Sequence, residues 1–180
     1  MTESVSREQH ISDGDHQVRE LFAQFGKSMY LAANLEMSQV SALTFLQTAQ
    51  SGKGTQSLFD RNLADNTGHT MGLILKRLRP LIDSPVLVQQ LEEALAERNR
   101  FAHNFFVDHV LDFVSPQGCE LMLAETLAAQ SLFIAADREL SLFLQTGLES
   151  FGVTPAQHRA NVAEETAALW EKAKSLHPSE

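Results

Sequence analysis

The stretch 94-ALAERNRFAHNFF-106 decides the fold, because it places a charged residue inside a helical apolar face. A helix turns about 100° per residue. On a helix over 85–108, one face collects the apolar residues Leu87, Leu91, Ala94, Phe101, Ala102 and Phe105. Arg98 projects onto the middle of this face, where an unpaired guanidinium costs roughly several kcal/mol to bury. Arg98 therefore either pairs with a carboxylate or serves a function.

The rest of the chain repeats the spacing of threes and fours that is typical of amphipathic helices, and strand signals are weak. Helices are predicted over 15–50, 56–64, from Asn66-Thr67 to about Pro80, 85–108, 116–151 and 155–174. A turn with a short extended piece is predicted near 109–118. We therefore predict an all-α bundle forming one domain over 15–175, with a disordered tail over 1–14 and a loose tail over 176–180.

Composition bounds the function. The 180 residues carry a net charge of -9, which argues against a general nucleic-acid coat protein but leaves room for a local basic site. Cys119 is the single cysteine, so neither an intramolecular disulfide nor a cysteine-built zinc site is expected. No signal pattern is found, and no apolar run approaches the ~18 residues of a membrane span. A cytoplasmic protein without a membrane segment is expected.

Two familiar signals are rejected. The stretch 51-SGKGT-55 resembles a phosphate loop only superficially, because it lacks the first glycine and follows a helix. The histidines are not spaced as metal ligands, and no serine or cysteine has a recognisable nucleophile setting. Neither a metal nor a cofactor is therefore predicted.

The remaining candidate site contains Arg98, Asn99 and His103. His103 lies about 140° from Arg98 around a straight helix, whereas Asn99 lies only about 40° from His103. A symmetric partner helix crossing between them would gather two such sets, which favours a two-fold dimer. Histidine transfers protons near neutral pH, arginine binds phosphate in a fork, and asparagine can fix the imidazole or bind a phosphate oxygen. This inventory suits metal-free cleavage of RNA by its own 2′-hydroxyl.

The motif Arg98-Asn99-x-x-Ala-His103 resembles the Arg-x4–6-His motif of the HEPN superfamily, and a looser likeness covers residues 20–110. The resemblance implies a helical bundle, dimerisation through the motif helix, and Arg98 and His103 as a catalytic pair that Asn99 supports. Many such proteins resemble toxins, defence ribonucleases or RNA-processing factors, often with an antitoxin or another protein partner. Others lack catalysis and serve as dimeric modules that bind proteins or nucleotides, so both functions stay open here.

One position departs from a HEPN branch. Toxins paired with a minimal nucleotidyltransferase have a modified tyrosine two places after the histidine, where this chain has Phe105, and Tyr30 is its single tyrosine. Control by modification at that place is therefore not expected.

Several charged residues allow two interpretations. Structurally, Arg98 would pair with Glu36 or Glu92. Arg100 is either a solvated neighbour or a phosphate contact. The densest basic cluster consists of Lys76, Arg77 and Arg79. These charges either interact favourably with the dipole at the C-terminus of a helix or guide an RNA backbone.

Overall fold

The computed structural model describes residues 13–52, 55–150 and 167, and this part of the chain contains helices and no strand. The all-α prediction is therefore confirmed. Between residues 13 and 150, the described chain forms six α-helices: α1 (Asp13–Gln50), α2 (Gln56–Thr67), α3 (Met71–Leu78), α4 (Pro85–His103), α5 (Phe105–Asp108) and α6 (Pro116–Ser150). The predicted tail over 1–14 lies outside the described residues except for residues 13 and 14, which are the first turn of α1 and not disordered. The predicted tail over 176–180 also lies outside them, as does the predicted last helix except for Ala167.

The chain divides into two units, Met1–Leu140 and Ser141–Glu180, with the boundary inside α6. The single domain predicted over 15–175 stays a prediction. The core and the candidate site both belong to the first unit.

The long helix α1 is the element around which the first unit is built. It contacts α2, α3 and α4, and it buries apolar residues along most of its length, including Leu21, Leu35 and Leu43. Beyond its end, Gly52 adopts a φ of 63°, in the left-handed region that favours glycine. The non-helical backbone at Gly52 thus accounts for the break that was predicted at 51–55.

The predicted cap at Asn66-Thr67 was wrong, because these residues end α2 instead of starting α3. The Asn66 side chain is buried and donates to Thr44 Oγ1 at 3.1 Å and to Gln47 Oε1 at 2.9 Å. These bonds attach α2 to α1. Helix α3 begins three residues later than expected, after Thr70, and it ends in a short 3-10 turn over Arg79–Leu81.

Helix α4 begins where the sequence predicts. Ser84 Oγ accepts a hydrogen bond from the Leu87 amide at 3.3 Å, and Pro85 occupies the first turn. The predicted apolar face is buried except at Ala102, which is exposed. The predicted helix over 85–108 is interrupted at Asn104, and the separate short helix α5 follows.

The connection to α6 is a turn with a 3-10 segment over Asp112–Val114, where a short extended piece was expected. Ser115 then starts α6, because its Oγ accepts from the Gly118 amide at 3.0 Å. A Cβ at position 118 would clash with the carbonyl oxygen of Asp112, so glycine is required for this close approach. The turn therefore returns the chain directly into α6.

Helix α6 packs against α1 through buried polar contacts. Ser28 Oγ donates to the Thr126 carbonyl at 3.1 Å, and Gln130 Nε2 donates to Gln24 Oε1 at 2.9 Å. By length and composition alone, Pro116–Gly147 is apolar enough to cross a membrane. The sequence analysis did not expect this. It is weak evidence for a span, because core helices of soluble proteins pass the same test.

Candidate functional site

Stacked phenylalanine rings hold the end of the motif helix α4 against α1. The Phe25 ring of α1 stacks on Phe101 at 5.8 Å and on Phe105 at 5.4 Å between centroids. Phe101 and Phe105 also stack on each other at 4.5 Å. Aromatic pairs at such separations stabilise packing beyond simple burial. The backbone that carries residues 98–103 is therefore fixed to the core at its C-terminal end.

Arg98 lies at the border of this core with its side chain 30% exposed. Its Nη1 donates to Asn99 Oδ1 at 3.1 Å, and its Nη2 donates to Glu36 Oε2 at 3.5 Å. Of the two acidic partners considered from the sequence, Glu36 is the one that Arg98 contacts. Glu92 instead forms an ion pair with Arg79. The structure thus brings Arg98 and Asn99 together beside a carboxylate of α1.

His103 is the last residue of α4, and its side chain is exposed. It forms no hydrogen bond or ion pair within the described part of the chain. It lies about 140° around the helix from Arg98. Between them the surface is formed by exposed Asn99 and Ala102, and the small Ala102 leaves room for another chain to approach. One chain alone therefore does not place Arg98 and His103 in one site.

The predicted basic cluster lies at the end of α3, away from the core. Lys76, Arg77 and Arg79 are all exposed, and Lys76 and Arg77 occupy the last turn of the helix. Positive charge at this place interacts favourably with the helix dipole. Arg79 is paired with Glu92, which leaves Lys76 and Arg77 as the cluster's cations without an ion pair among the described residues.

Arg100 is much more engaged than the sequence suggested. It donates from Nε and Nη2 to the two carboxylate oxygens of Glu97 at 3.0 and 2.8 Å, and from Nη1 to Glu125 at 3.0 Å. Its guanidinium carbon lies 5.0 Å from the centroid of the Phe101 ring. Hydrogen bonding to Glu97 is the main cause that raises the pKa of Arg100. A phosphate would have to compete with two carboxylates for this side chain.

The carboxylate of Glu125 extends this arrangement to His109, which is buried at 8% exposure. Glu125 Oε2 lies 3.1 Å from His109 Nε2, and Asp112 Oδ2 lies 2.8 Å from His109 Nδ1. We call these residues, together with Glu97 and Arg100, the Arg100–His109 network. It joins α4, the turn after α5, and α6.

The two carboxylates favour the protonated form of His109. Both ring nitrogens face carboxylate oxygens, and both can donate only when the ring is protonated. Burial lowers the pKa of His109, but the hydrogen bonds to Asp112 and Glu125 and their negative charges outweigh it, so the pKa is raised. When it is protonated, the ring links the turn after α5 to α6.

Sequence reasoning missed the Arg100–His109 network. Two local signals were present, since Glu97 and Arg100 are three residues apart, as are His109 and Asp112. Glu125 is 16 positions from His109 on another helix, and no local spacing predicts that contact. Among the described residues, no group of three or more His, Cys, Asp or Glu side chains is arranged to hold a metal ion.

Comparisons of this chain with protein-family models, with curated proteins and with solved structures found no match. The HEPN resemblance therefore rests on Arg98, Asn99 and His103 and on the helical pattern around them.

Proposed function

We propose that this protein is a metal-independent endoribonuclease of the HEPN type that acts as a dimer. The observation that supports this best is the arrangement on α4. Arg98 is oriented by Asn99 and remains partly exposed, and His103 is exposed five residues further along the same helix. These side chains provide a phosphate-binding cation and a proton carrier at one end of one helix.

The proposed reaction needs only the RNA and these side chains. His103 accepts the proton of a 2′-hydroxyl, the 2′-oxygen attacks the adjacent phosphorus, and the bond from phosphorus to the 5′-oxygen breaks. A protonated His103 supplies the proton to the leaving oxygen, and a dimer provides two such histidines. Arg98 stabilises the charge of the phosphorane, and Asn99 keeps the guanidinium in place. The products are a 2′,3′-cyclic phosphate and a 5′-hydroxyl.

Dimerisation is part of the proposal, because Arg98 and His103 point apart on one helix. A second α4 crossing over Ala102 brings the His103 of each chain towards the Arg98 of the other. The contact between Arg98 and Glu36, at 3.5 Å, is at the outer limit of a hydrogen bond. Exchanging it for an RNA phosphate therefore costs little. In the same proposal, Lys76, Arg77 and Arg79 guide the backbone of the RNA, and Arg100 is an additional contact.

The test is cleavage of a mixed RNA pool in EDTA by the wild type, Arg98→Ala and His103→Ala, with analysis of the new ends. We expect cyclic-phosphate ends from the wild type and a loss of about a hundredfold or more in each variant. Arg61→Ala and His16→Ala are matched controls, since both residues are exposed and lie on other helices, and both should retain activity. DNA of the same sequence should stay intact. Equal cleavage by Arg98→Ala, or none by a folded dimeric wild type, contradicts the proposal.

A second candidate function is a HEPN dimer without catalysis that binds a protein or a nucleotide. The ion pair between Arg98 and Glu36 favours it, because the guanidinium already has a carboxylate partner from α1. In that case Arg98→Ala lowers the free energy of unfolding, and neither the wild type nor any variant cleaves RNA. The net charge of -9 would suit a basic partner protein, such as an antitoxin.

A further inference from the structure

The outer face of α6 exposes several large apolar side chains. Leu121, Leu127 and Ile134 are 50%, 51% and 51% exposed. The exposed residues between them include the small Ala124 and Ala128. Contiguous exposed apolar surface on a helix is typical of an interaction site.

This face is not the one that packs on the rest of the unit. The opposite face of α6 is buried against α1, where Thr126 and Gln130 bond to Ser28 and Gln24. The outer face is therefore an additional surface, and the fold of the unit does not use it.

Two opposite charges mark the ends of the outer face. Glu120 and Arg138 are exposed and 18 positions apart, which is five turns of about 3.6 residues. They therefore lie on one line along the helix, at either end of the apolar residues. Neither forms an ion pair within the described residues of the chain.

The outer face is complementary to itself when two copies of α6 run antiparallel, with the two-fold axis at the level of residue 129. Glu120 of one copy then faces Arg138 of the other, and the reverse contact forms at the opposite end. Ala124 faces Ile134, which sets a small side chain against a large one, and Leu127 faces Ser131. Every one of these six residues is exposed. A two-fold interface requires this kind of self-complementarity.

We propose that the outer face of α6 binds a second copy of this chain in an antiparallel helix pair. A second copy satisfies both end charges at once and covers Leu127 and Ile134 of both chains. This interface is distinct from α4, so it does not depend on the proposed ribonuclease activity. Self-association through α6 is therefore separate from dimerisation through α4.

Charge reversal tests this pairing in the full-length protein by sedimentation equilibrium. Glu120→Lys and Arg138→Glu each place like charges in contact twice, so each should weaken association by about tenfold. The double variant Glu120→Lys/Arg138→Glu restores both contacts with the charges exchanged, and it should associate like the wild type. Only pairing between copies gives this rescue.

Ile134→Asp provides a second, stronger test. A charge in the middle of the apolar contact should weaken association by about a hundredfold. Val86→Asp is the matched control, because Val86 is a 68% exposed apolar residue at the start of α4 and should not alter association. Circular dichroism checks that each variant is folded.

Two results overturn the proposal. One is a wild type that stays monomeric over the concentrations measured. The other is self-association that none of the α6 variants changes, as expected for a dimer formed through α4 alone. A monomeric wild type would also contradict the α4 dimer of the proposed function, whereas association that the α6 variants leave unchanged contradicts the α6 proposal alone.

Discussion

Two arginines on α4, two positions apart, have different surroundings. Arg98 projects onto the apolar face and has a single distant carboxylate in Glu36, at 3.5 Å. Arg100 projects away from that face and is held by Glu97 and Glu125 at 3.0 Å or less. Position on the helix alone suggested that Arg98 needs a partner more than Arg100 does. The structure gives the closer partners to Arg100, which leaves Arg98 as the cation more available to a phosphate.

His109 leads to a prediction about pH. Its pKa is raised in the folded protein, so the protonated ring stabilises the fold. This contribution is fully present below the pKa of the unfolded chain, about 6.5, and is lost as pH rises through the folded-state pKa. We expect the free energy of unfolding to fall across that interval, as measured by urea denaturation at a series of pH values.

Variants of the same contacts check this prediction. His109→Gln should lower the free energy of unfolding by about 1–3 kcal/mol at pH 6, because two carboxylates lose their shared cation. In this variant, the decrease in the free energy of unfolding with rising pH should disappear. Asp112→Asn should keep part of the decrease, since Glu125 still contacts the ring. An unchanged decrease in His109→Gln would show that another group is responsible.

At the scale of the element, helix starts were easier to predict than helix ends. Ser84 and Ser115 each accept a bond from an amide three residues later, as their places before proline indicate. The end of α4 at His103 was not predicted, because Phe105 continues the apolar pattern in the separate helix α5. Local capping chemistry marks these two starts, whereas the apolar pattern runs past the end of α4 without marking it.

The caps give a prediction for α4. Ser84→Ala removes the bond to the Leu87 amide and should lower the free energy of unfolding by about 1 kcal/mol. Thr70→Ala is the control, since Thr70 occupies the same place before α3 but its side chain makes no cap bond. It should change stability by less than about 0.5 kcal/mol. Thermal or urea denaturation measures both, and equal losses would argue against the cap bond.

At the scale of the whole molecule, two buried glutamines differ in whether their side-chain amides form hydrogen bonds. Gln130 on α6 donates to the carbonyl and the side chain of Gln24, 106 positions earlier. Gln39 on α1 is fully buried, and its side-chain nitrogen and oxygen have no hydrogen-bond partner in the described structure. Burying an amide without a partner costs free energy.

These two glutamines predict opposite effects of the same substitution. Gln39→Met should raise the free energy of unfolding by about 1–2 kcal/mol, because it removes two unsatisfied groups and keeps the volume. Gln130→Met should lower it by about 1–3 kcal/mol, because Gln24 Oε1 loses the amide that donates to it and the Gln24 carbonyl loses one of its donors. Chemical denaturation measures both, and destabilisation by Gln39→Met would contradict the prediction.

The sequence by itself determined the helical class, most helix starts, the break after α1, and the apolar face of α4 apart from Ala102. Periodicity and capping are local properties, so residues within a few positions of each other are sufficient to read them. The same locality singled out Arg98, Asn99 and His103 as candidates. Their chemical roles stay predictions.

Only the tertiary structure decided which charges meet. The contacts of Arg98 with Glu36, and of Glu125 with both Arg100 and His109, join residues 62, 25 and 16 positions apart on different elements. The role of Asn66 as a link between α2 and α1, and the apolar outer face of α6, depend in the same way on how helices pack. Such contacts follow from the relative placement of whole helices, which no local spacing in the sequence encodes.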